Sequence, residues 1–375
     1  MRRRRGDSRV WGGSFWAAPH RPLFLAAAVW AIVGVGFLPV FGAVWHAHEM
    51  LFGFIGAAVG GYLLTALPGW TGAPPLRGSG LIGLVAVWGL ARGAALCDPV
   101  PPVILIPLTT GYFVALAGIL LRGVIRAKAW RKIGFGFVVI ALGIADAAFW
   151  INTPAGGLEI ARAGILMIAG LAAVIGQKAV PAFTANWLAV RGIGGPRPRG
   201  HLGWVIAAIA AAWISPPLSA GLLLASMRGW RGMAIRRDPL LLALHFGYAC
   251  LPVGLALWGL NAGIALPISP TGPVHFLAIG ALAGLIFALA GRAAAHRGDG
   301  GLRAAAGFSF GAVLIGLAAL IRQAEQGAPL AGVVWCLGWA LFLRGFIPTL
   351  RAPPPRPALS GARAETPSHS GGPNR

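Results

Sequence analysis

Negative charge is what this chain has least of. Nine Asp and Glu stand against 31 Lys and Arg in 375 residues, and charged residues make up only 11%. A soluble domain carries roughly 25%, so this chain cannot build an aqueous surface. Its three cysteines, Cys97, Cys250 and Cys336, are isolated from one another. That excludes a disulfide framework, a CxxC pair and a CxxCH attachment site. No His-His pair occurs anywhere, which argues against an oxidase-type reductase centre built on such a pair.

What is present is hydrocarbon. Hydrophobic residues reach 57%, mean hydropathy is +0.75, and there are 57 glycines and 15 tryptophans. Glycine suits close helix packing in lipid, and tryptophan suits headgroup belts. The composition predicts an all-α, polytopic integral membrane protein. Apolar stretches of about 17–25 residues read as helical spans. Twelve fit, at approximately 22–40, 45–67, 79–96, 101–121, 133–151, 158–180, 201–215, 217–233, 239–261, 273–293, 303–321 and 329–350. Pro216-Pro217 interrupts the seventh and eighth, which could instead form one broken hairpin.

A net charge of +22 would suggest nucleic acid in a soluble protein, but its distribution here argues for a membrane. On the twelve-span plan, 28 Lys and Arg fall on one side and only Arg92, Arg162 and Arg322 on the other. The positive-inside rule then puts both termini of this multi-pass membrane protein in the cytoplasm. Residues 1–21 read as a basic cytoplasmic N-terminus with no cleavage site after them. Residues 22–350 form the membrane domain, and 351–375, rich in Pro, Ser and Gly, read as a disordered cytoplasmic tail.

Against so few titratable groups, Trp45-His46-Ala47-His48-Glu49-Met50 stands out. It places three ionisable groups within four positions at the mouth of a span, and such groups are functional hypotheses by default. Imidazole is the commonest protein ligand for transition metals, and a thioether suits Cu(I). His46 and His48 lie about 200° apart on a helix, so a regular helix cannot aim both at one metal. Glu49 and Met50, three and four residues after His46, share its face, and Glu49 could orient an imidazole from behind. The topology sorts the histidines into an outer group of His46, His48 and His275 and an inner group of His245, His296 and His20. Arg292, one turn before His296, either snorkels or pairs with a carboxylate of a cofactor. Asp146 reads as a packed polar group.

Several stretches resemble the NnrS family of bacterial haem- and copper-containing membrane proteins. They are HRPLFLAAAVWA from His20, WHAHEMLFGFIGAAVGGYLLTALPGWTGAPPLRG from Trp45, VPAFTANWL from Val180, DPLLLALHFGYACLPVGLAL from Asp238, and VHFLAIGALAGLIFALAGRAAAHRG from Val274. The resemblance implies twelve spans, non-covalent haem, copper, and a role in the response to nitric oxide and nitrosative stress, often beside denitrification. It leaves open whether a reaction is catalysed. The matching positions put His245, His275, His296, Arg292 and Arg21 forward for cofactor binding. For metal they put forward His46, His48, Met50 and Glu49. Gly176-Gln177-Lys178 and Ala294-Ala295-His296-Arg297-Gly298 depart from the family's pattern, both near the inner group. A rival from another class is a secondary transporter using histidines as a proton relay, for which Pro- and Gly-broken spans would be expected.

Overall fold

The computed structural model describes residues 15–97, 100–153, 155–264, 266–298 and 301–351. The basic N-terminus up to residue 14 and the tail from 352 lie outside the described residues. Each of the twelve apolar stretches contains a helix. Eight helices are long and apolar enough to cross a membrane: Leu38–Thr71, Ser79–Leu96, Pro102–Arg126, Trp130–Asn152, Gly157–Val190, Pro239–Ile264, Gly272–Ala294 and Ala328–Arg351. The other four are shorter, at His20–Gly36, Leu202–Ala212, Pro216–Ser226 and Phe308–Ile321.

In chain order the helices are α1 (His20–Gly36), α2 (Leu38–His48), α3 (Gly56–Thr71), α4 (Ser79–Leu96), α5 (Pro102–Arg126), α6 (Ile133–Asn152) and α7 (Gly157–Val190). There follow α8 (Leu202–Ala212), α9 (Pro216–Ser226), α10 (Pro239–Ile264), α11 (Gly272–His275), α12 (Gly284–Ala294), α13 (Phe308–Ile321) and α14 (Ala328–Phe346). A π-helical stretch, Glu49–Ile55, joins α2 to α3, and another, Phe276–Ala283, joins α11 to α12. Between α12 and α13 the chain makes a small antiparallel ladder, β1 (His296–Gly298) and β2 (Gly301–Arg303), with His296 opposite Arg303. This ladder is the departure from a purely helical reading.

Helices α8 and α9 pack on each other across a connection of three residues, Trp213–Ser215. Eleven residues rise about 16 Å, roughly half a hydrocarbon core of about 30 Å. The pair is therefore the broken hairpin that the double proline permits, seated on α10 where Gly259 meets Pro216 and Pro217. By contrast α7 runs 34 residues, ten past the expected end of its span. At about 51 Å it outreaches the core.

Small residues set the spacing. Gly247 and Gly284 bring α10 and α12 together, and a Cβ at Gly247 would stand 2.9 Å from the Leu285 nitrogen. Gly311 and Gly338 do the same for α13 and α14, where a Cβ on either would stand 3.0 or 3.2 Å from the other's carbonyl oxygen. Lipid supplies no hydrophobic drive between helices, so this close van der Waals approach carries the association. Aromatic rings fill the centre: Phe54 meets Trp335 and Trp339 edge-on, and Phe287 meets Trp339 and Phe342. Outward-facing side chains such as Ile214 (88% exposed), Val103 (77%) and Ile151 (69%) make a surface suited to lipid rather than water.

Candidate functional site

The WHAHEM motif straddles the change from α to π geometry, and its residues part company there. The π stretch begins at Glu49 and inserts an extra residue into the turn. Such local π segments recur at functional sites. His46 and Met50 turn toward α1 and α11; His48 and Glu49 turn toward α4 and α6.

On the first side, His46 Nδ1–H donates to the Gly34 carbonyl at 2.8 Å, and His275 Nδ1–H donates to the Thr271 carbonyl at 2.8 Å. Only a protonated nitrogen can bond a carbonyl. Each neutral ring therefore keeps its lone pair on Nε2, the orientation that metal-ligating histidines take from a backbone carbonyl. The two rings lie nearly parallel, 21° apart, with centroids 6.4 Å from each other. Met50 is beside them: a Cβ on Gly34 would stand 2.7 Å from its Sδ. Arg322 closes the outer edge, donating to Ser269 Oγ at 3.0 Å and Thr271 Oγ1 at 2.6 Å. It thereby fixes the turn whose carbonyl orients His275.

On the second side lies a buried ionic quartet. His48 Nδ1 is 2.8 Å from Glu49 Oε1, and His48 Nε2 is 2.6 Å from Asp146 Oδ1. Both ring nitrogens face carboxylates, so both carry protons and the ring is an imidazolium. Arg92 Nη1 donates to Glu49 Oε1 at 2.7 Å, Trp30 Nε1 to Glu49 Oε2 at 2.7 Å, and Thr110 Oγ1 to Asp146 Oδ2 at 3.1 Å. His48, Glu49 and Asp146 are fully buried and Arg92 nearly so. Two cations against two carboxylates sum to zero, which is how a charge cluster survives away from water. Gly53 makes the room: a Cβ there would meet Trp30 Nε1 at 2.6 Å and Arg92 Nη1 at 3.0 Å.

The expectation that Glu49 backs His46 therefore differs from the structure, where Glu49 braces His48 instead. Glu49 lies about 60° round the helix from His46, and Arg92, Trp30 and His48 draw its carboxylate to the other side. Asp146 and Arg92 are the partners that sequence reasoning did not assign. Their signal was available: each is a charge inside an apolar helix of a chain with few such residues.

The inner group is organised on α7. Thr184 Oγ1 donates to the Val180 carbonyl at 2.9 Å and lies 2.9 Å from His245 Nε2. A hydroxyl has one proton, so His245 Nε2–H is the donor to Thr184, and the free lone pair sits on Nδ1. That nitrogen faces Gly232, where a Cβ would come within 3.3 Å of it. On the neighbouring residue, Phe183, rests the Arg292 guanidinium, 4.1 Å from the ring centroid and 5% exposed. Arg21, 3% exposed, donates to the carbonyls of Leu350 and Thr349 at 3.0 and 3.3 Å. His20 is 2% exposed, and its Nδ1 is buried without a hydrogen-bond partner. The side chain of His296 lies outside the described residues.

Among the described residues, no group of three or more His, Cys, Asp and Glu is arranged to hold a metal ion. The candidate centre is thus a histidine pair with a thioether, and a separate inner histidine flanked by a buried arginine. No curated protein matches the chain. The family model described as NnrS protein matches residues 14–353, a stretch that holds the WHAHEM motif, the ionic quartet and both histidine groups. The chain belongs to the NnrS protein family.

Proposed function

We propose that this is a haem- and copper-binding protein of the bacterial inner membrane that acts in the response to nitric oxide and nitrosative stress. The supporting observation is the His46–His275 pair, two rings with their Nδ1 atoms tied to carbonyls and their Nε2 lone pairs left for a ligand. The donor set fits copper. Two imidazoles reaching one ion at about 2 Å each stand about 6 Å apart by centroid, and these stand 6.4 Å apart. The Met50 thioether favours the reduced ion. His48 and Glu49 serve this centre from behind, anchoring the π turn through Arg92 and Asp146.

Haem is assigned to the inner end. His245, whose Nδ1 lone pair faces the Gly232 backbone, would be one imidazole to hold it. The buried Nδ1 of His20, without a hydrogen-bond partner among the described residues, would be another nitrogen available to it. Arg292 and Arg21 are the cations for carboxylate side chains of the group. When bound, haem iron would supply a site for nitric oxide whose behaviour the distal surroundings tune. The chain's own part is to hold neutral imidazoles, exclude water and keep cations at the membrane's inner edge.

The topology belongs to the same proposal. The 28-to-3 charge asymmetry supports twelve helical passes with both termini cytoplasmic. Counting the α8–α9 hairpin as two passes or as none leaves the sidedness of every other segment unchanged.

The proline-broken α8–α9 hairpin favours a second reading, a secondary transporter with half-length helices at its substrate site. Purification in detergent followed by metal analysis and an optical spectrum separates the two. The metalloprotein reading expects copper and a Soret band that His245→Ala removes. A colourless, metal-free protein would leave the transporter.

A further inference from the structure

Helices α3, α7 and α12 do not close on one another along their whole length. Between them, with α10 behind, lies a cavity of about 60 Å³. Every lining side chain is hydrocarbon except that of Tyr62. The lining runs along α7 from Ile168 to Val180, about 18 Å of helix rise. Its ends are the informative part. Ile55 and Leu282, one from each π-helical stretch, line it on the side of the His46–His275 pair. Val180 and Leu244 line it at the other end. Val180 accepts the Thr184 hydroxyl that holds His245, and Leu244 is the residue before that histidine.

Size and polarity select the occupant. An apolar cavity stays dry, because a buried water needs two to four polar partners, and an engineered one of about 150 Å³ accepts benzene or xenon. With about 60 Å³ of room, this cavity holds less than half the volume that admits such a ring. It is large enough for a molecule of two or three atoms without charge. Strong donors and acceptors are absent along its length, so an ion or a polar solute would be desolvated there without compensation.

We propose that this cavity is a binding and transit site for a small uncharged gas molecule, linking the π-helical floor of the outer histidine pair to the inner His245 group. Only the meaning of its two ends rests on the metal-site reading above; gas binding itself requires no metal. The π stretches acquire a second role: by shifting Ile55 and Leu282 out of α-helical register, they keep the outer end from being sealed by packing.

The test uses the full chain in lipid nanodiscs under xenon, followed by ¹²⁹Xe exchange NMR. A saturable bound-xenon signal is expected, unchanged when metals are stripped by chelator, so that failure of the metal reading leaves this result standing. Ala172→Phe and Ala179→Phe, which put a ring into the cavity, are expected to abolish the signal, while Val103→Phe on the exposed face leaves it intact. A measurement without variants accompanies it: under oxygen pressure, paramagnetic relaxation should rise at the methyl groups of Ile168 and Leu282 above that at Leu23, which is buried away from the cavity. Absence of a saturable site in the wild type would overturn the proposal. Retention of the signal in both folded phenylalanine variants would do the same. So would a signal that appears only after delipidation, because the occupant would then be an acyl chain.

Discussion

Asp146→Asn is the sharpest perturbation of the ionic quartet. It leaves His48 and Arg92, two buried cations, facing the single carboxylate of Glu49. Deleting one partner of a buried ion pair costs about 3–5 kcal/mol. The asparagine oxygen still accepts from His48, which places the expected loss near the lower limit, about 3 kcal/mol. The Arg162–Glu159 pair sets the scale on the surface. Its side chains are 48% and 70% exposed, and exposed pairs are worth about 0–1 kcal/mol, so Arg162→Gln should change stability by less than about 1 kcal/mol. Unfolding in mixed micelles of mild and denaturing detergent, followed by tryptophan fluorescence, measures both. Glu49→Gln and the double variant complete a cycle. Both carboxylates act on the same imidazolium, so the coupling should fall at about 0.5–3 kcal/mol. If Asp146→Asn unfolds like Arg162→Gln, or if the double variant equals the plain sum, the quartet is not one unit and the reasoning fails.

Three further outcomes are expected. His46→Ala and His275→Ala should each lower copper content by at least tenfold, whereas Arg162→Gln should not, as elemental analysis of purified protein would reveal. Gly232→Val, which covers His245 Nδ1, should reduce haem occupancy while leaving copper unchanged, seen as a lost Soret band and lower iron at constant copper content. Gly259→Leu should push α9 off α10, where Pro216 and Pro217 now press against the glycine, at a cost of about 1–3 kcal/mol. A melting temperature equal to wild type would show that this hairpin is not held by that contact.

The helices were legible because their hydrophobic runs are long and lipid-facing: each of the twelve expected stretches contains a helix. Their crossing lengths were less so. Pro216-Pro217 marked the weak pair, but hydropathy could not reveal that α8 and α9 stop at eleven residues each, because apolar residues continue beyond both. The short β1–β2 ladder left no periodicity to detect. At the site, the scarcity of charge drew attention to WHAHEM, and the 200° separation of His46 from His48 foretold that they diverge. The partners were hidden for a physical reason. Asp146 and Arg92 are 98 and 43 positions from the motif residues they bind, so only the packed bundle brings them there. The π turn was equally invisible, since Gly53 inside it reads as an ordinary small packing residue until Trp30 and Arg92 are seen against it.

The central claim is that the histidines of this membrane bundle hold copper at the outer pair and haem at the inner end. Copper and haem content, measured together on wild-type protein purified in detergent, tests it most directly. The account predicts about one copper per chain through His46 and His275, and a Soret band from non-covalent haem. A folded, colourless protein free of both would contradict it.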